Sequence, residues 1–232
     1  LKFSYPFIPN GLLEALFTSL SVILLAFFHD QETVGLFAIA VKLASILLLT
    51  SEPIQNIWVP HMFSVKQQEN KGEIYAQGMK LICLILIAVS LILTAGSGVL
   101  YFLLIDEQYY ESMVALPFLL LANSIYMLRG TARMGVVLSD NVNKIPLATL
   151  VSIIISFPFY AYLTYQFGIV GASIGQMLLS ITLVIILVRY SNQHIHMPVT
   201  VSPYIQMFVI YLLIALLVPA EIGFSIGVPL LM

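Results

Sequence analysis

The chain has 232 residues, 60% of them hydrophobic and only 9% charged, with a mean hydropathy of +1.03. Soluble domains carry about 25% charged residues; the charge missing here is surface charge, so most of this surface does not meet water. The formal net charge of -2 points to no nucleic acid and no acidic partner, and the single cysteine, Cys83, excludes an internal disulfide framework or a cysteine zinc site.

A helix needs about 20 apolar residues to cross a hydrocarbon core of about 30 Å. Six stretches qualify, in chain order 10–28, 33–58, 74–105, 112–138, 145–165 and 168–190. A seventh runs from 204 to about 218, and an eighth begins near Gly223. Closed β-barrels need alternating polarity, which runs such as Leu81-Ile82-Cys83-Leu84-Ile85-Leu86-Ile87 lack. The fold class is therefore all-α integral membrane, an antiparallel helical bundle. Residues 1–190 form a six-helix transmembrane lobe, 191–203 a cytoplasmic linker, and 204–232 a further helix with the truncated start of another. Leu1 in place of a starting Met, and an apolar close at Leu230-Leu231-Met232, read as a piece of a longer protein.

Polar or helix-breaking residues separate the spans, among them His29-Asp30-Gln31-Glu32, the stretch 66–73, Asp106-Glu107-Gln108, the stretch 139–144 and Gln166-Phe167-Gly168. Lys2, Lys66, Lys71, Lys80, Lys144 and Arg189 flank the N-terminus, the even-numbered turns and the end of the sixth span. By the positive-inside rule these are cytoplasmic. Tyr101, Tyr109, Tyr110, Tyr160, Tyr162 and Tyr165 then fall at the outer face as an aromatic belt. Pro53 and Pro158 lie within spans, where prolines tend to kink helices. Trp58 and Pro60 read as an interface anchor and a helix end, Cys83 as a packing residue, and Gly168, Gly171 and Gly175 as small residues permitting close helix contact. His194-Ile195-His196 has only a weak claim on a metal, with no carboxylate or cysteine nearby in sequence.

Charge inside the spans is costly, at least about 2.5–3.5 kcal/mol per residue at the centre. Asn10, Glu14, Thr18 and Ser21 share one face of the first span. In the second, Lys42, Ser45, Glu52 and Asn56 share another; in the fourth, Tyr126, Arg129 and Arg133 follow helical spacing. At about 1.5 Å per residue, Lys42 lies roughly 12 Å below the outer end and Glu14 about 6 Å above the cytoplasmic one, so the two should not pair. Arg133 falls near the depth of Glu14 and Glu52, where an interhelical ion pair is expected. Pairing or snorkelling to the interface competes with a transport role for Glu14, Glu52 and Arg133. Lys42, deep and without an acidic residue at its level, reads as lining a cavity. There is no nucleophile elbow, P-loop or Rossmann glycine pattern, so no enzyme is indicated.

Residues 1–190 resemble the C-terminal half of the polysaccharide (O-antigen and exopolysaccharide) flippases of the multidrug/oligosaccharidyl-lipid/polysaccharide (MOP) superfamily. The resemblance rests on Tyr5-Pro6-Phe7-Ile8-Pro9, on Val34-Gly35-Leu36-Phe37-Ala38-Ile39-Ala40-Val41-Lys42 and on Ile57-Trp58-Val59-Pro60-His61-Met62-Phe63-Ser64. Tyr109-Tyr110 with Ala115-Leu116-Pro117, and Phe167-Gly168-Ile169-Val170-Gly171-Ala172, complete it in order. Ser21 and Val22 stand where the family often carries an acidic–basic pair, and Ser156 and Tyr160 where it tends to place asparagines. The resemblance implies one six-helix lobe of a MOP/MATE-like transporter, plus one or two further C-terminal helices, in a bacterial cytoplasmic membrane. It implies alternating-access flipping of an undecaprenyl-pyrophosphate-linked glycan, with a missing N-terminal lobe of the same protein as partner and membrane lipid as surroundings. No cofactor is implied, and an ion gradient is the candidate driving force. Lys42, with Arg129, would attract the pyrophosphate, and Glu14, Thr18 and Ser21 would offer hydrogen bonds. A MATE-type cation or drug antiporter, for which Glu14 is the candidate coupling carboxylate, and a non-transporting scaffold of a glycan-export complex are the alternatives.

Overall fold

A computed structural model describes residues 7–139 and 141–225, with side chains at 11–50, 53–139, 141–215 and 217. The apolar runs fold as helices that reverse at the polar turns, and the described residues contain no strand. The helices are α1 (Phe7–Phe28), α2 (Gln31–Ala44), α3 (Ile46–Ser64), α4 (Lys71–Ala95), α5 (Ser97–Leu104), α6 (Leu116–Met127), α7 (Arg129–Ala132), α8 (Met134–Leu138), α9 (Lys144–Asn192) and α10 (Ser202–Ser225). A 3-10 segment, Glu107–Ala115, leads into α6. Among the described residues, five stretches are long and apolar enough to cross a membrane: Gly11–Phe28, Gln31–Thr50, Lys71–Ala95, Glu107–Leu138 and Lys144–Asn192.

The spans are less continuous than their hydropathy. The second breaks at Ser45 into α2 and α3, the third at Gly96, and the fourth into three short helices. Neither Pro53 nor Pro60 ends α3, which runs on to Ser64. The fifth and sixth spans form a hairpin within α9, turning at Gly168 with φ 53° and ψ -127°. That left-handed conformation suits glycine. Gly171 then meets the Leu163 carbonyl and Gly175 the Tyr160 ring, both too close for a Cβ. Ser156 donates to Thr182 across the same seam at 3.2 Å. These glycines do provide close contact, within the hairpin. α10 continues unbroken through Gly223 to Ser225, and residues 226–232 lie outside the described part. It packs along α4, where the buried Tyr211 hydroxyl lies 2.9 Å from the Thr94 hydroxyl, and it donates to the Pro117 carbonyl of α6 at 2.9 Å.

Phe37, Leu47, Leu86, Leu120 and Leu179 are fully buried at the centre of the bundle, whereas Leu12, Phe27, Ile57, Ile92 and Phe102 face outward. An apolar exterior of this kind suits hydrocarbon surroundings. A smaller cluster of Met62, Val65, Tyr75, Met134 and Met197 closes one end. Two residues of the anticipated aromatic belt belong to the interior. Tyr101 and Tyr160 are each 1% exposed, Tyr101 bonded to Ser112 and Tyr160 packed on Gly175, while Tyr162 and Tyr165 do face out. Trp58 is half-buried, its ring lying against Gly78 of α4, which has no side chain to obstruct it. Cys83 is buried in the core as a packing residue.

At the turn after α1, His29 Nε2 donates to the Thr164 carbonyl at 2.8 Å, tying the turn to the hairpin. Asp30 caps α2 by accepting from the Thr33 N–H at 2.9 Å. Thr33, through its side chain and its N–H, holds the Asp30 carboxyl below its usual range. A depressed folded-state value means that the cap contributes at neutral pH and is lost as pH falls through that value. Asp30→Ala should accelerate amide exchange in the first turn of α2 at pH 7, and wild type should approach the variant in acid. The glycines permit a contrasting test. Gly171→Ala should lower thermal stability by about 1–3 kcal/mol, because its Cβ would meet the Leu163 carbonyl. Gly35→Ala, with open space around the new methyl, should hold or raise stability by up to about 1 kcal/mol. Melting curves in detergent would distinguish them.

Candidate functional site: charged residues at two helix breaks

In hydrocarbon a freed backbone carbonyl must find another donor. At the Ser45 break, the Ser45 hydroxyl donates to the Lys42 carbonyl at 2.6 Å. Asn123 of α6 reaches across to the Ala44 carbonyl at 3.2 Å. The fourth span breaks at Leu128 and again at Arg133, where ψ flattens to -17° and -4°. Gln55 of α3 donates to the Met127 carbonyl at 3.4 Å, lying where a side chain on Gly130 would otherwise stand. Ser191 at the end of α9 donates to the Ala132 carbonyl. Side chains from α3, α6 and α9 thus supply what the broken helices lose.

The charged residues gather at these breaks. Arg129 donates from its guanidinium to Glu14 of α1 at 2.6 Å, with side chains 25% and 29% exposed. The Arg129 guanidinium carbon lies 4.2 Å from the centre of the Tyr126 ring. Tyr126 in turn stacks on Phe17 of α1 at 4.9 Å. An aromatic face attracts a cation by about 0.5–2 kcal/mol, so Arg129 is held from two sides. Arg133 is half-buried, and its Nε has no hydrogen-bond partner among the described residues. The charges acting on it come from Arg129 and Glu14. Two guanidiniums therefore share one described carboxylate.

The ion pair joins different residues from those anticipated: Glu14 binds Arg129, and Arg133 is left beside the pair. A uniform rise puts Arg133 at the depth of Glu14, but two joints along the fourth span spoil that uniformity. Glu52 and Asn10 have side chains outside the described residues. Lys42 is exposed, and among the described residues no carboxylate lies within 4 Å of its ammonium. Thr18 is exposed, but its hydroxyl donates to its own helix, to the Glu14 and Ala15 carbonyls at 3.0 and 3.1 Å. Ser21 leaves the expected polar face altogether: it is 1% exposed, sealed between α1 and Tyr160 of α9. Ser45 and Asn56 remain at least partly accessible. Gly35, about two helical turns before Lys42, and Gly11, three residues before Glu14, border open space.

Asn123, Gln55 and Ser191 went unread in the sequence. Each is an uncharged polar residue in a largely apolar run, and their partners are backbone carbonyls that no sequence pattern marks. No known protein family, curated protein or solved structure matches the chain.

The Glu14–Arg129 pair supports a double-mutant test. Removing one partner leaves the other charge partly desolvated. Glu14→Ala and Arg129→Ala should each cost about 1–3 kcal/mol, and the double variant should cost clearly less than their sum. Additive costs in thermal or denaturant unfolding would show that the two side chains do not interact.

Proposed function

We propose that the chain is part of a membrane transporter that flips a lipid-linked glycan across the cytoplasmic membrane, with its N-terminus and basic turns on the cytoplasmic side. The observation that carries this reading is the surplus of positive charge at the helix breaks of the second and fourth spans. Arg129 and Arg133 share one described carboxylate, and Lys42 stands exposed two residues before the end of α2 without a described counter-ion. Broken helices inside a bilayer are tolerated where backbone lines a cavity or is buried in protein, and intramembrane charge ordinarily marks a substrate path. A phosphate-bearing lipid carrier supplies the matching anion, because guanidinium and ammonium groups bind phosphate oxygens through charge-assisted hydrogen bonds. The open face of α1 and α2 would be one wall of a central cavity, a second lobe the other.

A cation or drug antiporter would use Glu14 as its coupling carboxylate, but the guanidinium of Arg129 already occupies that group. A mere scaffold would have its charges matched by one another, which Lys42 and the Arg133 Nε argue against among the described residues.

In cells dependent on the full-length protein for surface glycan, Lys42→Ala should reduce export about tenfold, equivalent to about 1.4 kcal/mol and within reach of one lost charge-assisted hydrogen bond. Lys42→Arg should keep part of the activity. Undiminished glycan at the surface with normally expressed Lys42→Ala would dismiss Lys42 from the path. Uptake or efflux of a cationic dye dependent on Glu14 would favour the antiporter instead.

A further inference from the structure

At the basic end of the bundle, four separate elements converge on a cavity of about 340 Å³, its walls including Lys66, Gln67, Lys71, Ser139 and His194. Lys66 and Gln67 come from the turn after α3, Lys71 from the start of α4, Ser139 from the end of α8, and His194 from the segment after α9. We propose that this cavity is a binding site for a phosphate group, separate from the cationic cluster within the spans and independent of what the protein transports.

The site is built. Its base is the small apolar cluster in which Tyr75 donates to the Met62 carbonyl at 2.8 Å. Gly72 lets the His196 carbonyl lie directly on the first turn of α4, where any Cβ would collide with it. The chain after α9 is fixed there by the Met197 N–H donating to Asn192 Oδ1 at 2.9 Å. Beside the cavity, Lys144 donates to Gln193 at 2.7 Å and approaches His194 Nε2 at 3.4 Å, as does the Asn141 amide. Both neighbours are donors, so Nε2 is the acceptor and the proton of neutral His194 sits on Nδ1, a further donor.

The chemistry selects an anion with several oxygens. Lys66 and Lys71 contribute two ammonium groups, and Lys144 adds a third positive charge behind His194. Glu69 and Glu73 lie on the same turn and helix, but no described carboxylate comes within 4 Å of Lys66, Lys71 or Lys144. At roughly 30 Å³ per water, the cavity offers the room of about ten waters, enough for a phosphate and a short attached group. The lysine distribution puts this end at the cytoplasmic surface, where both anionic lipid headgroups and soluble phosphates are available.

The test uses the purified full chain in phosphatidylcholine vesicles. One arm adds phosphatidylglycerol to the vesicles; the other titrates inorganic phosphate at constant ionic strength, with chloride as the balancing anion. Melting temperature should rise by several degrees in at least one arm, and the effect should vanish in Lys66→Gln/Lys71→Gln. It should persist in Lys80→Gln/Arg189→Gln, which removes the same charge elsewhere on the chain. Lys66→Gln alone, on an exposed turn, should weaken the response about tenfold and guards against misfolding of the double variant. A response confined to phosphatidylglycerol assigns a lipid headgroup, and a response to phosphate in neutral vesicles assigns a soluble ligand. Absence of a response in both arms, or equal loss in the two double variants, overturns the site.

Discussion

Where a helix in a hydrocarbon environment loses continuity, each released carbonyl has to be met by another donor or left at a cost of several kcal/mol. That requirement organises this bundle. Asn123, Gln55 and Ser191 are spent on the Ala44, Met127 and Ala132 carbonyls. To deliver those donors, α6 must lie against the α2–α3 joint, α3 against the α6–α7 joint, and the end of α9 against α7. The arrangement of the central helices follows from where the backbone is broken as much as from apolar burial.

The same joints determine the electrostatics. Freed from a regular helical register, Arg129 reaches Glu14 across to α1 while Tyr126 and Phe17 fill the space beneath it. Arg133, at the next joint, remains close to the pair without a carboxylate of its own. The two arginines still lie one helical turn apart, the Arg133 N–H donating to the Arg129 carbonyl at 3.1 Å, yet only Arg129 reaches the Glu14 carboxylate.

The helices and their order were legible because hydropathy reports what a helix meets on average over 20 residues. The hairpin turn at Gly168 was equally legible, since Gln166 and a helix-breaking glycine interrupt the apolar run there. The joints inside the spans were not. Ser45, Leu128 and Arg133 carry no breaker signature, while Pro53 and Pro60, which do, sit within a continuous α3. Estimating depth by uniform rise therefore chose Arg133 over Arg129 as the partner of Glu14. Tyr101 and Tyr160 face the interior for a related reason: position along a span gives height in the bilayer but not the side faced, and Gly175 provides the recess that draws Tyr160 inward. Of the candidate site, the charged residues were visible as exceptions to an apolar background, whereas the seclusion of Ser21 and the local bonding of Thr18 depended on neighbours from other helices.

The hairpin of α9 also bears on how such a chain enters a bilayer. Its partners are near in sequence, Leu163 with Gly171, Tyr160 with Gly175 and Ser156 with Thr182, so bringing them together closes only a small loop and forfeits little chain entropy. The tip carries no lysine or arginine to be dragged through the lipid. Two antiparallel rods joined by so short and uncharged a tip can be threaded as a single piece, and they offer the growing polypeptide an early surface on which α1, made long before, can settle.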